Sequence, residues 1–180
     1  MKGTLKFLGA LVGAALVVWI FRALAFTMYT VEGDGLEPTL MRGDRILVSR
    51  WSYGLRTGSR GGPFGYGRIC FAQPQRGDIV AFDHPTDSVG GVLVCRCRAL
   101  PGDTLKMQNG VFLVPGLSTC AKENYYWMES LGKGNPTDSR TLGPIPESCI
   151  IGRVVMVVYN HDDAYPIYDG YLQSRFLLLY

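Results

Sequence analysis

Two stretches of this chain hold residue types that hydrolytic chemistry could use. Residues 31–40 read Val-Glu-Gly-Asp-Gly-Leu-Glu-Pro-Thr-Leu, and residues 93–103 read Leu-Val-Cys-Arg-Cys-Arg-Ala-Leu-Pro-Gly-Asp. Asp34 could act as a general base for water, and Cys95 could attack a carbonyl if its thiol were ionised. Neither has obvious help. A thiol in apolar surroundings is held protonated, and no base stands near Cys95 in the sequence, so it reads as a buried, inert small hydrophobe. Asp34, set between Gly33 and Gly35, reads as a solvated turn residue. No serine lies within residues 31–40. The cysteines at 70, 95, 97, 120 and 149 form no Cys-x-x-Cys, and His84 and His161 are isolated, so neither a metal site nor a cofactor is expected. Five cysteines in an exported domain leave at least one without an internal partner. Cys95 and Cys97, two apart, share one face of a strand, an awkward geometry for bonding to each other.

Pro38-Thr39-Leu40 and Leu100-Pro101-Gly102-Asp103, in that order and about 60 residues apart, form a far more specific pair than either motif alone. With Arg76-Gly77-Asp78-Ile79-Val80-Ala81-Phe82, Asp138-Ser139-Arg140 and Gly143-Pro144-Ile145-Pro146-Glu147, they resemble the signature stretches of the type I signal peptidases. Those are membrane serine proteases that remove signal peptides with a Ser/Lys dyad. The resemblance covers nearly the whole chain. It implies a mainly β fold: an antiparallel, partly closed β-structure with an N-terminal transmembrane helix and a small hairpin insertion at about residues 104–128.

The family's first stretch runs Ser-Met-x-Pro-Thr-Leu, its second Lys-Arg-x-x-x-Leu-Pro-Gly-Asp. Aligned without gaps, the nucleophilic serine falls on Gly35 and the lysine base on Cys95. Gly35 has no side chain and Cys95 no amine, so both reacting groups are missing. Leu36 replaces a methionine of similar volume. Arg96 matches the family's arginine, but the position of its acidic partner reads as Leu131, and a supporting serine falls on Pro136. Asp138 and Arg140 remain, as expected of a structural salt bridge. The implied protein is catalytically inactive yet able to bind signal peptides of secreted precursors by strand addition, along a groove of Gly35, Leu36, Glu37, Pro38 and residues 92–95. For each of these residues, ordinary strand and turn packing is the competing reading. Two other functions compete: an active signal peptidase using an unrecognised nucleophile, and a non-enzymatic membrane scaffold or secretion partner.

The elements that would position these residues are short. Runs rich in β-branched residues at 46–48, 79–82, 92–94 and 150–158 are strand-sized and bounded by Gly, Pro and Asp. Asn109-Gly110 separates residues 104–107 from 111–114 and predicts a hairpin. Residues 56–67 hold five glycines and a proline and read as a loop. A formal charge of +3 with no Lys/Arg run argues against nucleic acid.

Hydrophobic residues make up 47% and charged residues 18%, a membrane-leaning balance. Residues 7–21 carry no charge, and residues 5–26 suffice for a bilayer span if Lys6 and Arg22 snorkel. This predicts an anchor over residues 1–28 in contact with membrane lipid. The exported domain, 29–180, would lie on the outer or periplasmic side of the plasma (inner) membrane, since Lys2 and Lys6 favour a cytoplasmic N-terminus. Ala23-Leu24-Ala25 also has the small-x-small form of a signal-peptide cleavage site. An uncleaved anchor is the preferred reading because the first signature stretch begins only a few residues later. Intact-mass measurement of the protein from membranes should therefore find no species beginning at Phe26; such a species would mean a released domain.

Overall fold

The computed structural model of the chain describes residues 2–32, 36–58, 65–86, 91–107, 110–119, 121–130, 137–161, 165, 169–172 and 175–179; within the N-terminal helix the described side chains are 6–19 and 25. Helix α1 spans Lys2–Ala25 and passes directly into β1, Phe26–Thr30. The other strands are β2 (Asp44–Ser49), β3 (Leu55–Thr57), β4 (Gly67–Ile69), β5 (Ile79–Asp83), β6 (Val92–Ala99), β7 (Thr104–Met107), β8 (Gly110–Leu113), β9 (Tyr125–Glu129), β10 (Ile145–Pro146), β11 (Ile150–Asn160) and β12 (Leu177–Leu178). A short helix α2, Ser139–Leu142, precedes β10.

One antiparallel, curled half-barrel sheet dominates, in the order β1-β2-β11-β5-β6-β9-β10, with β12 on β11. This agrees with the mainly β, antiparallel fold expected. Strand β11 binds it together, pairing with β2, β5 and β12, with register breaks between Ile150 and Gly152, Val154 and Met156, and Val157 and Tyr159. Such bulges bend a strand and sharpen its twist, which curls the sheet. Gly152 sits where the backbones of β11 and β2 meet; a Cβ there would overlap the Ser49 carbonyl.

The pleat sends alternate residues to two cores. From β5, Val80 and Phe82 join Cys95, Cys97, Tyr126, Met128, Ile145 and Ile150, while Ile79 and Ala81 join Leu36, Leu40, Ile46, Val48, Val154 and Val157. Strand β5 is thus buried on both faces.

Three turns of one construction lead into β2, β5 and β7. In each, a Gly at φ +84° to +95° (Gly43, Gly77, Gly102) precedes an Asp. The Asp amide donates to the carbonyl three residues back, and its carboxylate accepts from that residue's amide: Met41 to Asp44 at 2.8 Å, Gln75 to Asp78 at 2.9 Å, Leu100 to Asp103 at 2.7 Å. With Pro101 ahead of Gly102, Leu-Pro-Gly-Asp has the residues of a type II turn. Each Asp also meets an arginine: Arg175, Arg153 and Arg76 respectively.

Several expectations change. The sheet begins at Phe26, so residues 26–28 belong to β1 and not to the anchor. Ala25 is buried and its carbonyl accepts from the Arg50 amide. The ends of the 56–67 stretch form a ribbon of β3 and β4, held because Arg68 donates to the carbonyls of Gly54, Glu147 and Ile150. Strands β7 and β8 form the expected hairpin, with residues 108–109 outside the described set. Tyr125–Glu129, placed by the sequence inside the insertion, instead pairs with β6 in the main sheet. Among the described residues no helix is long and apolar enough to cross a membrane, so the expected span is not established by the structure.

Asp44 is fully buried, with Arg175 at 2.5 Å and Asn160 Nδ2 at 2.9 Å. Burial alone would raise its carboxyl, but Arg175, the Met41 amide and Asn160 hold it below its ordinary 3.8. Its contribution is therefore full above that value and is lost as pH falls through the lower folded value. Arg175→Ala should cost about 3–5 kcal/mol near neutral pH by leaving a buried carboxylate unpaired. Thermal melts should show that cost shrinking below pH 4, where protonation removes the stranded charge.

Candidate functional site

Gly35 and Asp34 lie outside the described residues, as do Leu131 and Pro136. The remaining expected site residues fall on two sides of the sheet. Leu36 is buried and packs in the cluster that Val92 and Val94 flank, while Glu37 and Pro38 are exposed on the turn that follows. The Leu40 amide donates to the Leu36 carbonyl at 3.0 Å, closing that turn. The structure therefore brings Leu36 together with Val92 and Val94.

Cys95 turns the other way. It pairs across from Val80, is 2% exposed, and belongs to the core of Phe82, Tyr126 and Met128. Its Sγ lies 3.9 Å from the Thr137 carbonyl. Burial, and then the negative charge of Asp138, push its thiol up to about 12, against the opposing pull of Arg140. Burial thus holds the Cys95 thiol protonated near neutral pH, and its side chain carries no amine. Cys97 shares its face and core, as their spacing predicts, and is also pushed up to about 12 by burial, then by Asp78 and Asp103. Cys70 is exposed, and Cys120 lies outside the described residues.

Asp138 and Arg140 form the expected ion pair at 2.6 Å, and its surroundings are structural. Asp138 is fully buried and caps α2 by accepting from the Arg140 amide; it also accepts from the Ser130 amide at 3.0 Å. Burial would raise its carboxyl, but these donors and the Arg140 guanidinium hold it below the usual carboxylate value. Ser139, not singled out by sequence, accepts from the Met128 amide at 2.9 Å, fastening α2 to β9. Asp138-Ser139-Arg140 is thus a clamp on the strand beside β6.

Arg96 is half-buried, with its Nε closed off from solvent and unpaired. It faces a cleft of about 280 Å³ that Arg76, Gly77, Arg98 and Glu129 also line. Sequence reasoning missed Arg76 and Arg98 here, although Arg96 and Arg98, two apart in a strand, signal a shared face. Among the described residues no group of three or more His, Cys, Asp or Glu could hold a metal ion.

One backbone feature fits a peptide site. Strand β5 pairs with β6 over residues 92–96, whereas β9 pairs with β6 only over residues 96–99. Among the described residues no strand covers the other edge of residues 92–95.

Comparison with known proteins gives the same family as the motifs. The family model for signal peptidase, peptidase S26, matches residues 4–126, a span that includes both signature stretches but not Asp138 or Arg140. The signal peptidase I of Buchnera aphidicola subsp. Baizongia pistaciae is 36% identical over 91 residues, which is 50% of this chain and 27% of that protein. The signal peptidase I of Rickettsia massiliae is 29% identical over 110 residues, 59% of this chain and 41% of its own. This chain therefore covers well under half the length of either relative.

A buried, protonated Cys95 should alkylate slowly. Iodoacetamide mapping of the folded protein in detergent should label Cys70 well before Cys95. Faster modification at Cys95 would return the thiol to consideration as a nucleophile.

Proposed function

The chain belongs to the signal peptidase family, peptidase S26, and on that premise we propose that it is a catalytically inactive, membrane-anchored member that binds extended segments of secreted precursors. The observation carrying this reading is Cys95. At the family's base position stands a 2%-exposed thiol pushed up to about 12, with no amine to take a proton. Gly35, at the nucleophile position, has no side chain whatever its placement.

Peptide binding rests on the edge of residues 92–95 that no strand among the described residues covers, where backbone amides and carbonyls can accept an added strand without any dyad. Leu36, Val92 and Val94 supply an apolar wall nearby. An anchor is supported by α1. Phe7, Leu8, Leu11, Val12, Leu16, Val17, Val18 and Trp19 are 53–72% exposed, and a helix apolar all round calls for a non-aqueous environment. Because β1 starts at Phe26 with no linker, such an anchor would hold the sheet against the bilayer surface, the domain lying on the outer side.

The decisive experiment incubates the full chain in detergent with a labelled signal-peptide substrate. No turnover above the blank is expected, together with saturable binding of the peptide. Turnover abolished by substituting one residue of this chain would establish a working peptidase instead. Gly35→Ser combined with Cys95→Lys should stay within about tenfold of the blank, because groups that act as a unit are not repaired piecemeal. A lysine at 95 would begin from the face opposite Leu36, with no serine hydroxyl at Pro136 to orient it. Robust cleavage by that double variant would show that the supporting residues are sound.

A further inference from the structure

The cleft beside Arg96 holds more positive charge than its neighbours neutralise. Arg76 is engaged by Asp103 through two contacts, Nε to Oδ2 at 3.0 Å and Nη2 to Oδ1 at 2.6 Å. Glu129, directly across from Arg96 on β9, is instead taken by Arg98 at 3.5 Å and by Trp127 Nε1 at 2.9 Å. Arg96 has no carboxylate among the described residues, and its Nε is buried without a partner. Three guanidinium groups thus face two carboxylates, and the surplus charge sits on the most enclosed of the three.

A partly desolvated cation is stabilised when an anion supplies the counter-charge it lacks. A guanidinium carries five N–H donors, so Arg76 and Arg98 keep donors beyond those their carboxylates occupy. Those carboxylates also hold the two arginines in place, which lowers the entropy a ligand would have to remove. The cleft is open beside Gly77, where a built Cβ would meet nothing within 4 Å.

We propose that this cleft binds a phosphate-type oxyanion, either free phosphate or the phosphodiester of a lipid headgroup. Arginines line the cleft from two elements, Arg96 and Arg98 from β6 and Arg76 from the turn before β5. A tetrahedral anion offers oxygens in several directions and can meet donors arriving from both elements, whereas a carboxylate presents two oxygens in one plane. Nε of Arg96 is closed off, so the anion meets that residue at its outer nitrogens. Peptide binding at the edge of residues 92–95 is not required.

The test titrates the full chain in detergent at constant ionic strength with inorganic phosphate and, separately, with a soluble short-chain phosphatidylglycerol below its micelle concentration. Phosphorus NMR line width and the melting temperature are the readouts. Saturable binding of at least one ligand is expected. Arg96→Gln should weaken it at least tenfold, and Arg42→Gln, an equal change of charge at an exposed position, should leave it unchanged. Arg98→Gln, at a largely exposed side chain that should not disturb folding, provides a second variant expected to weaken binding. In phosphate-free buffer Arg96→Met should melt no lower than the wild type, since it removes an uncompensated charge, and added phosphate should no longer raise its melting temperature. Response to inorganic phosphate alone would identify a free-ion site, and response to the lipid alone a headgroup site. Absence of saturable binding by the wild type, or equal weakening by Arg96→Gln and Arg42→Gln, would overturn the proposal.

Discussion

Burial of β5 on both faces is the constraint on which the rest of the molecule depends. Val80 and Phe82 serve one core, Ile79 and Ala81 the other, so neither face of β5 tolerates a polar residue. A slip of one residue would exchange the two sets and carry Cys95 to the other side of the sheet. The position of every family landmark on β6 follows from this register: Cys95 inward among aromatic and sulfur side chains, Arg96 outward beside Glu129. Among the described residues β9 pairs with β6 only from Arg96 onward, which leaves residues 92–95 with no described strand on that side.

The register is held by turns, which is why much of the fold is legible in the sequence. Gly43-Asp44, Gly77-Asp78 and Gly102-Asp103 each combine a left-handed glycine with a carboxylate that closes the turn on itself. The closing hydrogen bonds of such turns are local, and the apolar runs after the first two must be strands because they are too short for helices. The β7–β8 hairpin was legible at Asn109-Gly110 for the same local reason. Strand β11 was readable from the β-branched residues that dominate 150–158. Its three register breaks were not, because bulges arise from the partners on either side.

What escaped the sequence depends on contacts between distant residues. Phe26–Thr30 continues an apolar helix with no punctuation and becomes strand only because β2 offers it an edge. Strand β4 occupies the end of a glycine-rich stretch, held there by Arg68 reaching carbonyls as far along the chain as Ile150. Tyr125–Glu129 has strand-like composition, but only its pairing with Arg96, Cys97 and Ala99 shows that it belongs to the main sheet. The Arg76–Arg98 side of the cleft joins residues from two elements, and no local pattern announces it. Within the candidate site, Cys95, Arg96 and the Asp138–Arg140 pair were identified by motif, while the opposite facing of Cys95 and Leu36 required the fold.

Signature residues present in this chain and those missing from it divide by physical role. Asp103 closes a turn and pairs with Arg76; Asp138 caps α2, pairs with Arg140 and accepts from Ser130; Ser139 fastens that helix to β9. Removing any one of them would strand a donor or a charge, so each is tied to stability whether or not the chain catalyses anything. A lysine base imposes the reverse demand, because its amine must be buried to stay neutral, at a cost to folding that only catalysis would require. Cys95 fills that position with a small apolar group that packs against Phe82 and Met128 at no such cost. Arg96 is the exception. Its Nε is closed off without a partner, and no carboxylate among the described residues pairs with it.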